Sequence, residues 1–386
     1  MQVSEAEDRP FLVVVHHFAS VPDPRMDRTQ RHSLVSILLV ALCAVLSGAD
    51  GWEGIEEFGR TRLDWLRQLT PMPHGSPSAD VIRRVFSALN PHRFEACFRR
   101  WVAAVRDDLD GEVLAVDGKS LRGSVDAAAH RAGIHLVHVW ASRQNLLLGQ
   151  CAVAGAPGEP QAVPQLLEAL DIEGAVVTLD ANGCTKAIAG TIVAEKAEYV
   201  LHLKGNRGPV HAHVVAQFNA VDLDAERDAG RMQMAQQSNR GHGREERRTV
   251  WAAPPKLPPA IQRAWPGLAS VAMIERERTV DGRTTNEQHY FLSSLPPDAT
   301  RIGHAARAHW SVENNLHWSL DVSMGEDDSR IRKGFGTQNF AVLRRVALML
   351  LRRPGSGKGS VPIKRKRAGW NPAYLLEILG LGVPSG

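Results

Sequence analysis

Apolar residues recur at helical spacing through the first 110 residues, and short polar breaks separate the runs. The apolar run Leu34–Leu46 follows Ser33, a residue type that often caps helices, and predicts a buried helix. Asn90 and Pro91 interrupt the later pattern and restart it. Further helices are predicted over 52–69, 79–89 and 91–109. The pattern therefore predicts an all-helical N-terminal domain over 1–110.

The hydrophobic period changes at Gly111. Short apolar runs bounded by turn residues predict strands over 113–116, 134–141, 146–153, 175–179 and 199–203. The later strands are separated by helical patterns over 160–170 and 184–196. The order β-β-β-α-β-α-β, with hairpins first and βα units after them, predicts an α/β fold with a ribonuclease-H-like mixed sheet flanked by helices.

A polar stretch with further strands interrupts this domain. Strands are predicted over 249–252, 270–278 and 290–292. Asp281-Gly282 predicts a hairpin turn between two of them. We expect a β-rich insertion over 206–295.

Two late helical patterns, 305–322 and 337–352, complete the α/β domain. That domain is therefore expected to consist of two segments, 111–205 and 296–353. The Gly- and Lys-rich residues that follow, 354–386, predict a basic mobile tail.

Composition places the 386-residue chain among ordinary globular proteins. Hydrophobic residues make up 44% and charged residues 23%, which excludes a mainly disordered, collagen-like or coiled-coil protein. The four cysteines form no C-x-x-C pair, which argues against a disulfide framework and a zinc ribbon. The acidic N-terminus shows no secretory signal, and the longest apolar run is shorter than the ~20 residues that span a bilayer. We expect a cytoplasmic protein without a membrane segment.

The formal net charge is only +4, but the cations are unevenly distributed. Residues 329–368 contain no Asp or Glu and carry twelve cations: Arg330, Arg332, Lys333, Arg344, Arg345, Arg352, Arg353, Lys358, Lys364, Arg365, Lys366 and Arg367. This asymmetry favours a polyanion as partner, most simply nucleic acid. The alternative is a set of solvated helix faces followed by a disordered tail.

Three carboxylates are placed where they could meet. Asp117 follows the first core strand, Asp180 follows the fourth, and Glu313 lies on a late helix. The first and fourth strands are neighbours in a ribonuclease-H-like sheet, so acids at their ends would converge. Three clustered oxygen ligands suit Mg²⁺ or Mn²⁺. Two such ions could activate an attacking oxygen and stabilise a leaving oxygen at a phosphodiester.

Each acid also has a simpler interpretation. Asp117-Gly118 could be an ordinary turn, Asp180 could cap the next helix, and Glu313 could be a solvated helix residue. Because His309 and His317 are each four residues from Glu313, the three could instead bind zinc.

Four nearby acids are alternatives to Glu313 as the third carboxylate. They are Asp321, Glu326, Asp327 and Asp328. We interpret them as a salt-bridged run that faces Arg330, Arg332 and Lys333. Trp310 and Trp318 are interpreted as packing residues.

Several motifs, taken in order, resemble bacterial insertion-sequence DDE transposases, and among these the ISAs-type group that includes the H-repeat-associated proteins. The motifs cover 18–25, 76–86, 116–123, 178–184, 199–206, 241–247 and 309–322. They extend over nearly the whole chain, from about 18 to 353. Three departures are visible. The 155–161 stretch lacks the usual Lys-Ser-Asn-Glu-Ile-like sequence, and Asn182 and Thr185 replace Met and Gln. Around Glu313, His309 takes an Arg-like place and no Lys follows one helical turn later.

The resemblance implies a ribonuclease-H-like catalytic domain in which Asp117, Asp180 and Glu313 are the DDE triad. It implies two Mg²⁺ ions as cofactors, with Mn²⁺ as a substitute. The implied reaction is attack by water at the element ends, followed by attack of the freed 3′-hydroxyl on target DNA. The implied partners are double-stranded DNA, as terminal inverted repeats and target, and further copies of the chain in a homodimer or larger assembly.

DNA contacts are expected from cations near these motifs. The candidates are Lys119, Arg122, Lys204, Arg207, His309, Arg330, Arg332, Lys333, Arg344, Arg345, Arg352 and Arg353. The N-terminal helical domain is expected to bind the element ends. Two alternatives stay open: a stand-alone ribonuclease-H-like nuclease, and an inactive DNA-binding relic.

Overall fold

The computed structural model describes residues 13–125, 132–153, 155–241 and 244–381. Parts of the predicted segments lie outside these ranges. They are the first twelve residues of the helical domain, residues 126–131 and 154 of the segment 111–205, two residues of the 241–247 motif, and the last five residues of the tail.

Short helices form the N-terminal part, as the apolar spacing predicts. They are α1 (Val13–Ala19), α2 (Leu34–Leu46), α3 (Trp52–Thr61), α4 (Leu63–Leu66), α5 (Ala79–Ala88) and α6 (Pro91–Val105). The side chains of Ser33, Ser78 and Asn90 each accept the backbone N–H three residues further on. These bonds satisfy N–H groups that a helix leaves unpaired at its start. Helix α2 is buried along nearly its whole length, and no described helix is long and apolar enough to cross a membrane.

The central element is a nine-stranded mixed sheet in the order β3-β2-β1-β4-β5-β9-β8-β7-β6. Its strands are β1 (Val113–Ser120), β2 (His135–Ala141), β3 (Leu146–Val153), β4 (Val176–Leu179), β5 (Glu198–Leu203), β6 (Gln233–Gly241), β7 (Arg244–Ala253), β8 (Ser270–Val280) and β9 (Arg283–Ser293). Strands β1, β4 and β5 are parallel, and the other pairings are antiparallel. The predicted ribonuclease-H-like order is confirmed.

The strands after residue 206 extend this same sheet. Strand β9 pairs with β5, and β8, β7 and β6 continue outward from it. The segment also contains α9 (Gly208–Asn219), α10 (Leu223–Asp228) and α11 (Pro259–Arg263). The β-rich stretch is therefore continuous with the core through backbone hydrogen bonds.

Helices cover both faces of the sheet. They are α7 (Glu159–Glu168), α8 (Lys186–Ala194), α12 (Ala299–His309) and α13 (Gly336–Arg352). Val113, Val176 and Val200 pack with residues of α12, whereas the residues that follow each of them lie in the larger core with α2, α8 and α13. Because side chains alternate along a strand, Asp117 and Asp180 are directed to the α12 face.

Two predicted boundaries near the candidate acids were wrong. Strand β1 does not end at Asp117 but pairs with β2 through Ser120. The single helix predicted over 305–322 is divided: α12 ends at His309, and π-helical turns follow over Val312–His317 and Ser319–Ser323. In the first of these, the N–H of Trp318 donates to the carbonyl of Glu313, five residues earlier. Such wider turns are frequent at functional sites.

The prediction of a mobile tail was also wrong. The chain after residue 354 forms α14 (Val361–Trp370) and α15 (Pro372–Ile378). Lys364 is buried, and its Nζ donates to the carbonyl of Leu351 at 2.9 Å near the end of α13. Arg365 is buried too and donates to the carbonyls of Val45 and Ser323. Tail cations thus satisfy carbonyl groups at the ends of other helices, which holds the tail to the core.

Candidate active site

Parallel pairing brings the two aspartates to the same edge of the sheet. In the β1–β4 ladder, Val116 is opposite Leu179. Asp117 and Asp180 are the next residues along the chain. Each comes four residues after a valine that packs against α12, Val113 or Val176, so both carboxylates are directed to the α12 face. Oδ1 of Asp180 accepts the N–H groups of Asn182 and Gly183, at 2.9 and 3.2 Å. These two bonds fix the orientation of the carboxylate.

Glu313 and His317 reach the aspartates from the π-helical turn after α12. Nδ1 of His317 lies 3.0 Å from Oε2 of Glu313 and 3.6 Å from Oδ2 of Asp117. One ligand atom from each of Asp117, Glu313 and His317 lies within 4.8 Å of the others. The four-residue spacing therefore does place Glu313 beside His317. His309, the third member of the zinc alternative, instead directs Nδ1 to Oγ1 of Thr178 at 3.0 Å.

The carboxyl group of Asp117 has a strongly raised pKa. Burial, helped by the charges of Asp180, Glu159 and Glu313, raises the pKa of Asp117 from 3.8 to about 7. The repulsion between a largely buried carboxylate and its neighbouring acids is relieved by a bound cation or by a proton. Carboxylate oxygens are the ligands that Mg²⁺ and Mn²⁺ prefer. The residues present therefore fit a divalent metal site.

A fourth carboxylate, Glu159, was missed by the sequence analysis. It begins α7, and its Oε1 lies 2.5 Å from Nε2 of His135. A Cβ added to Gly118 would collide with both groups, so only glycine permits this close approach beside Asp117. Burial raises the pKa of Glu159, and the charge of Asp180 raises it too. Glu159 lies in the 155–161 stretch, where the sequence offered only a departure from a motif.

The shifted carboxyl gives a pH prediction for the metal-free protein. Asp117 holds a proton more tightly in the folded chain than in the unfolded chain. Its contribution to stability is therefore lost as pH rises from about 4 through about 7. Asp117→Asn cannot ionise and should avoid this loss.

Urea unfolding without metal should show the difference. The free energy of unfolding of Asp117→Asn minus that of the wild type should grow between pH 4 and 7, by at most ~1.4 kcal/mol per pH unit, and level off above. A difference that stays constant over this range would contradict the raised pKa of Asp117.

Comparisons with known proteins show the family of this chain. Residues 108–350 match the family described as "Transposase DDE domain", and residues 15–102 match the one described as "DDE_Tnp_1-associated". The chain belongs to the DDE-domain transposase family. The first match contains all three acids of the predicted triad, and the second spans most of the N-terminal helices. The family resemblance drawn from the motifs is confirmed.

Relatives of this transposase align over nearly their whole length. The "Putative transposase YncI" of Escherichia coli O157:H7 is 36% identical over 371 residues, which cover 95% of this chain and 94% of the relative. The "H repeat-associated putative transposase YhhI" of Escherichia coli K12 is 35% identical over 373 residues, covering 95% and 97%. A short relative named "Inactive transposase YbfQ" is 46% identical over 74 residues, 19% of this chain and 88% of its own.

Two of the expected DNA contacts in the transposase are wrong, because Arg344 and Arg345 are buried inside α13. The guanidinium of Arg345 forms a double ion pair with Glu326, at 2.6 and 3.1 Å. Arg344 lies over the ring of Phe340, 4.3 Å from its centroid, and donates to the carbonyl of Asp50. Neither side chain faces solvent, so neither can neutralise a phosphate in this conformation.

Lys119 is likewise buried, which contradicts its expected contact with DNA. Its Nζ lies 2.7 Å from Asp321 and 3.6 Å from Asp327. Of the acids predicted to face Arg330, Arg332 and Lys333, Asp321 and Asp327 therefore pair with Lys119, and Glu326 pairs with Arg345.

The remaining predicted contacts divide into anchored and exposed side chains. Four arginines donate hydrogen bonds to oxygen atoms of the protein. Arg207 donates to the carbonyls of Ala181 and Asn182, and Arg332 donates to that of Gly123. Arg352 donates to the hydroxyl of Ser319, and Arg353 donates to the carbonyl of Glu377. His309 is directed to the sheet through Thr178. The exposed cations are Arg122, Lys204, Arg330 and Lys333.

Two tryptophans beside Glu313 were wrongly expected to be packing residues. Trp310 is 62% exposed and Trp318 is 57% exposed. Trp310, Asn314, Trp318 and Val322 are spaced four residues apart, and all four are exposed. One side of the π-helical segment therefore presents aromatic surface to solvent next to Glu313.

Proposed function

We propose that this transposase cuts DNA at the ends of its element and joins the freed 3′-hydroxyl ends to target DNA. The proposal is supported by the neighbouring parallel strands that lead to Asp117 and Asp180, and by Glu313 and His317, which lie beside Asp117. These carboxylates would hold two Mg²⁺ ions, with Mn²⁺ as a substitute. When bound, the ions would supply a stronger nucleophile and charge stabilisation at the phosphodiester.

The residues of the chain would prepare the site for that chemistry. Backbone N–H groups orient the carboxylate of Asp180, and His317 contacts that of Glu313. Burial at Asp117 weakens its interaction with water, which strengthens its interaction with a cation. A deprotonated Asp117 is needed for the metal, so binding should release a proton near neutral pH.

DNA would be held by the exposed cations beside the site. The turn at 122–124 packs against the loop that carries Arg330 and Lys333, because Nε of Arg332 donates to the carbonyl of Gly123 at 3.0 Å. Arg122, on that turn, has an 85% exposed side chain whose Nε lies 3.5 Å from Oδ2 of Asp327. These three exposed cations, Arg122, Arg330 and Lys333, therefore form one basic patch suited to phosphates.

The patch gives a salt prediction. Replacing Arg122, Arg330 and Lys333 with Ala should flatten the plot of log affinity for duplex DNA against log salt by a slope of about 2–3, at ~0.9 per phosphate contact. Lys196→Ala is the control, since its ammonium pairs with Glu173 at 3.0 Å. Affinities measured from about 50 to 200 mM salt test this. A triple variant with the slope of the control would exclude the patch as the phosphate contact.

The proposal includes further copies of the chain and the terminal inverted repeats. We infer that the N-terminal helices bind those repeats, because they match a transposase-associated family as a unit. The place of action would be the bacterial cytoplasm, where the nucleoid supplies target DNA.

A strand-transfer assay tests the proposed reaction. Labelled duplexes that carry the inverted ends flanking this gene are incubated with the protein, Mg²⁺ and a target plasmid. Label that becomes joined to the plasmid is the expected result. Cleavage without joining would favour a stand-alone nuclease, and binding without cleavage would favour an inactive relic.

A further inference from the structure

A buried row of hydrogen-bonded side chains runs from the middle of α13 to the candidate metal site. Its members, in order, are Glu326, Arg345, His138, His317 and Glu313. Nη2 of Arg345 lies 3.0 Å from Nε2 of His138, and Nδ1 of His138 lies 3.1 Å from Nε2 of His317. Nδ1 of His317 then lies 3.0 Å from Oε2 of Glu313. Every member except Glu313 is almost fully buried.

The chemistry of arginine sets the direction of every bond in this row. A guanidinium has donors only, so Nε2 of His138 must accept from Arg345. His138 then carries its proton on Nδ1 and donates it to Nε2 of His317. His317 in turn carries its proton on Nδ1, where it donates to the carboxylate of Glu313.

Arg345 cannot turn away from this arrangement. Its Nη1 donates to Oε1 of Glu326 and to the carbonyl of Ala341, and its Nη2 donates to Oε2 of Glu326 as well as to His138. Burial and the charge of Arg345 hold the pKa of His138 well below its ordinary value, so that imidazole stays neutral. The row therefore has one arrangement of protons.

We propose that this row makes His317 a positioning residue that holds Glu313 in place for metal binding, and that His317 is not itself a ligand. Because Nδ1 of His317 carries a proton, its lone pair is not available to an ion. Its bond to Oε2 of Glu313 leaves the other carboxylate oxygen for the metal. The role in metal binding rests on the proposed function, whereas the arrangement of protons does not.

A side chain that donates a hydrogen bond to a metal ligand contributes to metal affinity, although it does not touch the ion. Loss of such a bond typically weakens binding about 10–100-fold. Two substitutions separate positioning from ligation. His317→Asn keeps an amide N–H near the place of Nδ1, whereas His317→Leu keeps only bulk.

Equilibrium binding of Mn²⁺ to the full-length protein, followed by electron paramagnetic resonance, is the first test. His317→Asn should bind within about threefold of the wild type, and His317→Leu should bind about 10–100-fold more weakly. Equal large losses in both variants would make His317 a ligand and overturn the proposal. Unchanged binding in His317→Leu would show that the row only packs, and would overturn it too.

Long-range ¹H–¹⁵N correlation spectra of histidine-labelled, metal-free protein are the second test. We expect the Nδ1–H tautomer at both His138 and His317, with signals assigned from His138→Asn and His317→Asn. An Nε2–H tautomer at either residue would overturn the arrangement of protons. If the wild type bound no Mn²⁺, the metal-binding part of the proposed function would fail, and the spectra would still decide the row.

Discussion

Asp117→Asn should reduce Mg²⁺-dependent cleavage of element ends by at least about 10³-fold. Substitution of a residue that only hydrogen-bonds to a metal ligand typically lowers activity about 10–100-fold. Asp117→Asn should cost more, because it removes a charged oxygen ligand from the cluster itself. Initial rates of cleavage on labelled duplexes, at saturating DNA, would measure it. DNA affinity measured on the same samples should be nearly unchanged, because Asp117 is not a phosphate contact in this account.

A matched variant makes the result specific. Asp328→Asn removes the same charge from an exposed position outside the carboxylate cluster. It should cleave at close to the wild-type rate. If Asp117→Asn and Asp328→Asn behaved alike, in either direction, the assignment of Asp117 to the reaction would be wrong.

Glu326→Ala should lower the free energy of unfolding by about 3–5 kcal/mol, the range expected when one partner of a buried ion pair is removed. The substitution leaves the guanidinium of Arg345 buried inside α13 without its carboxylate. Urea unfolding of the metal-free protein, followed by circular dichroism, would measure the loss.

An exposed ion pair provides the control. Glu57 and Arg60 lie 2.6 Å apart with side chains 58% and 73% exposed, and such pairs contribute about 0–1 kcal/mol. Glu57→Ala should therefore change stability little. A loss in Glu326→Ala no larger than in Glu57→Ala would mean that the Glu326–Arg345 pair does not stabilise the fold.

The positions of the two aspartates could be predicted because they depend on strand order alone. The first and fourth strands are parallel neighbours in a ribonuclease-H-like sheet, so acids near their carboxyl ends were expected at the same edge, although β1 continues past Asp117 to Ser120. Glu313 required more, since a helix can approach that edge in several ways. Glu313 was preferred because the four nearby acids were interpreted as a salt-bridged run, and the change to a π-helical turn could not be predicted from the spacing.

Arg344 and Arg345 were wrongly predicted to contact DNA because their charge was considered without the apolar residues around them. Both lie in an almost uninterrupted apolar run from Phe340 to Leu351, and a helix that is apolar on all sides is buried. Arginine inside such a helix implies a buried partner. The partners could not be named from the sequence, because His138 is 207 residues away from Arg345.

The C-terminal tail was also wrongly predicted from composition alone. Gly and Lys residues favoured a mobile segment, yet Tyr374, Leu375 and Ile378 join the main core. Glu159 was missed for a related reason. Its position beside Asp117 depends on the absence of a side chain at Gly118, a contact that neither spacing nor composition reveals.

The central claim is that Asp117, Asp180 and Glu313 form one divalent metal site. The most direct measurement is a crystal structure of the protein with Mn²⁺ and end DNA, in which anomalous scattering locates the ions. The account predicts manganese peaks bonded to carboxylate oxygens of all three residues, with His317 bonded to Glu313 and not to the metal. Peaks that leave any of the three acids uncoordinated, or no peak among them, would contradict it.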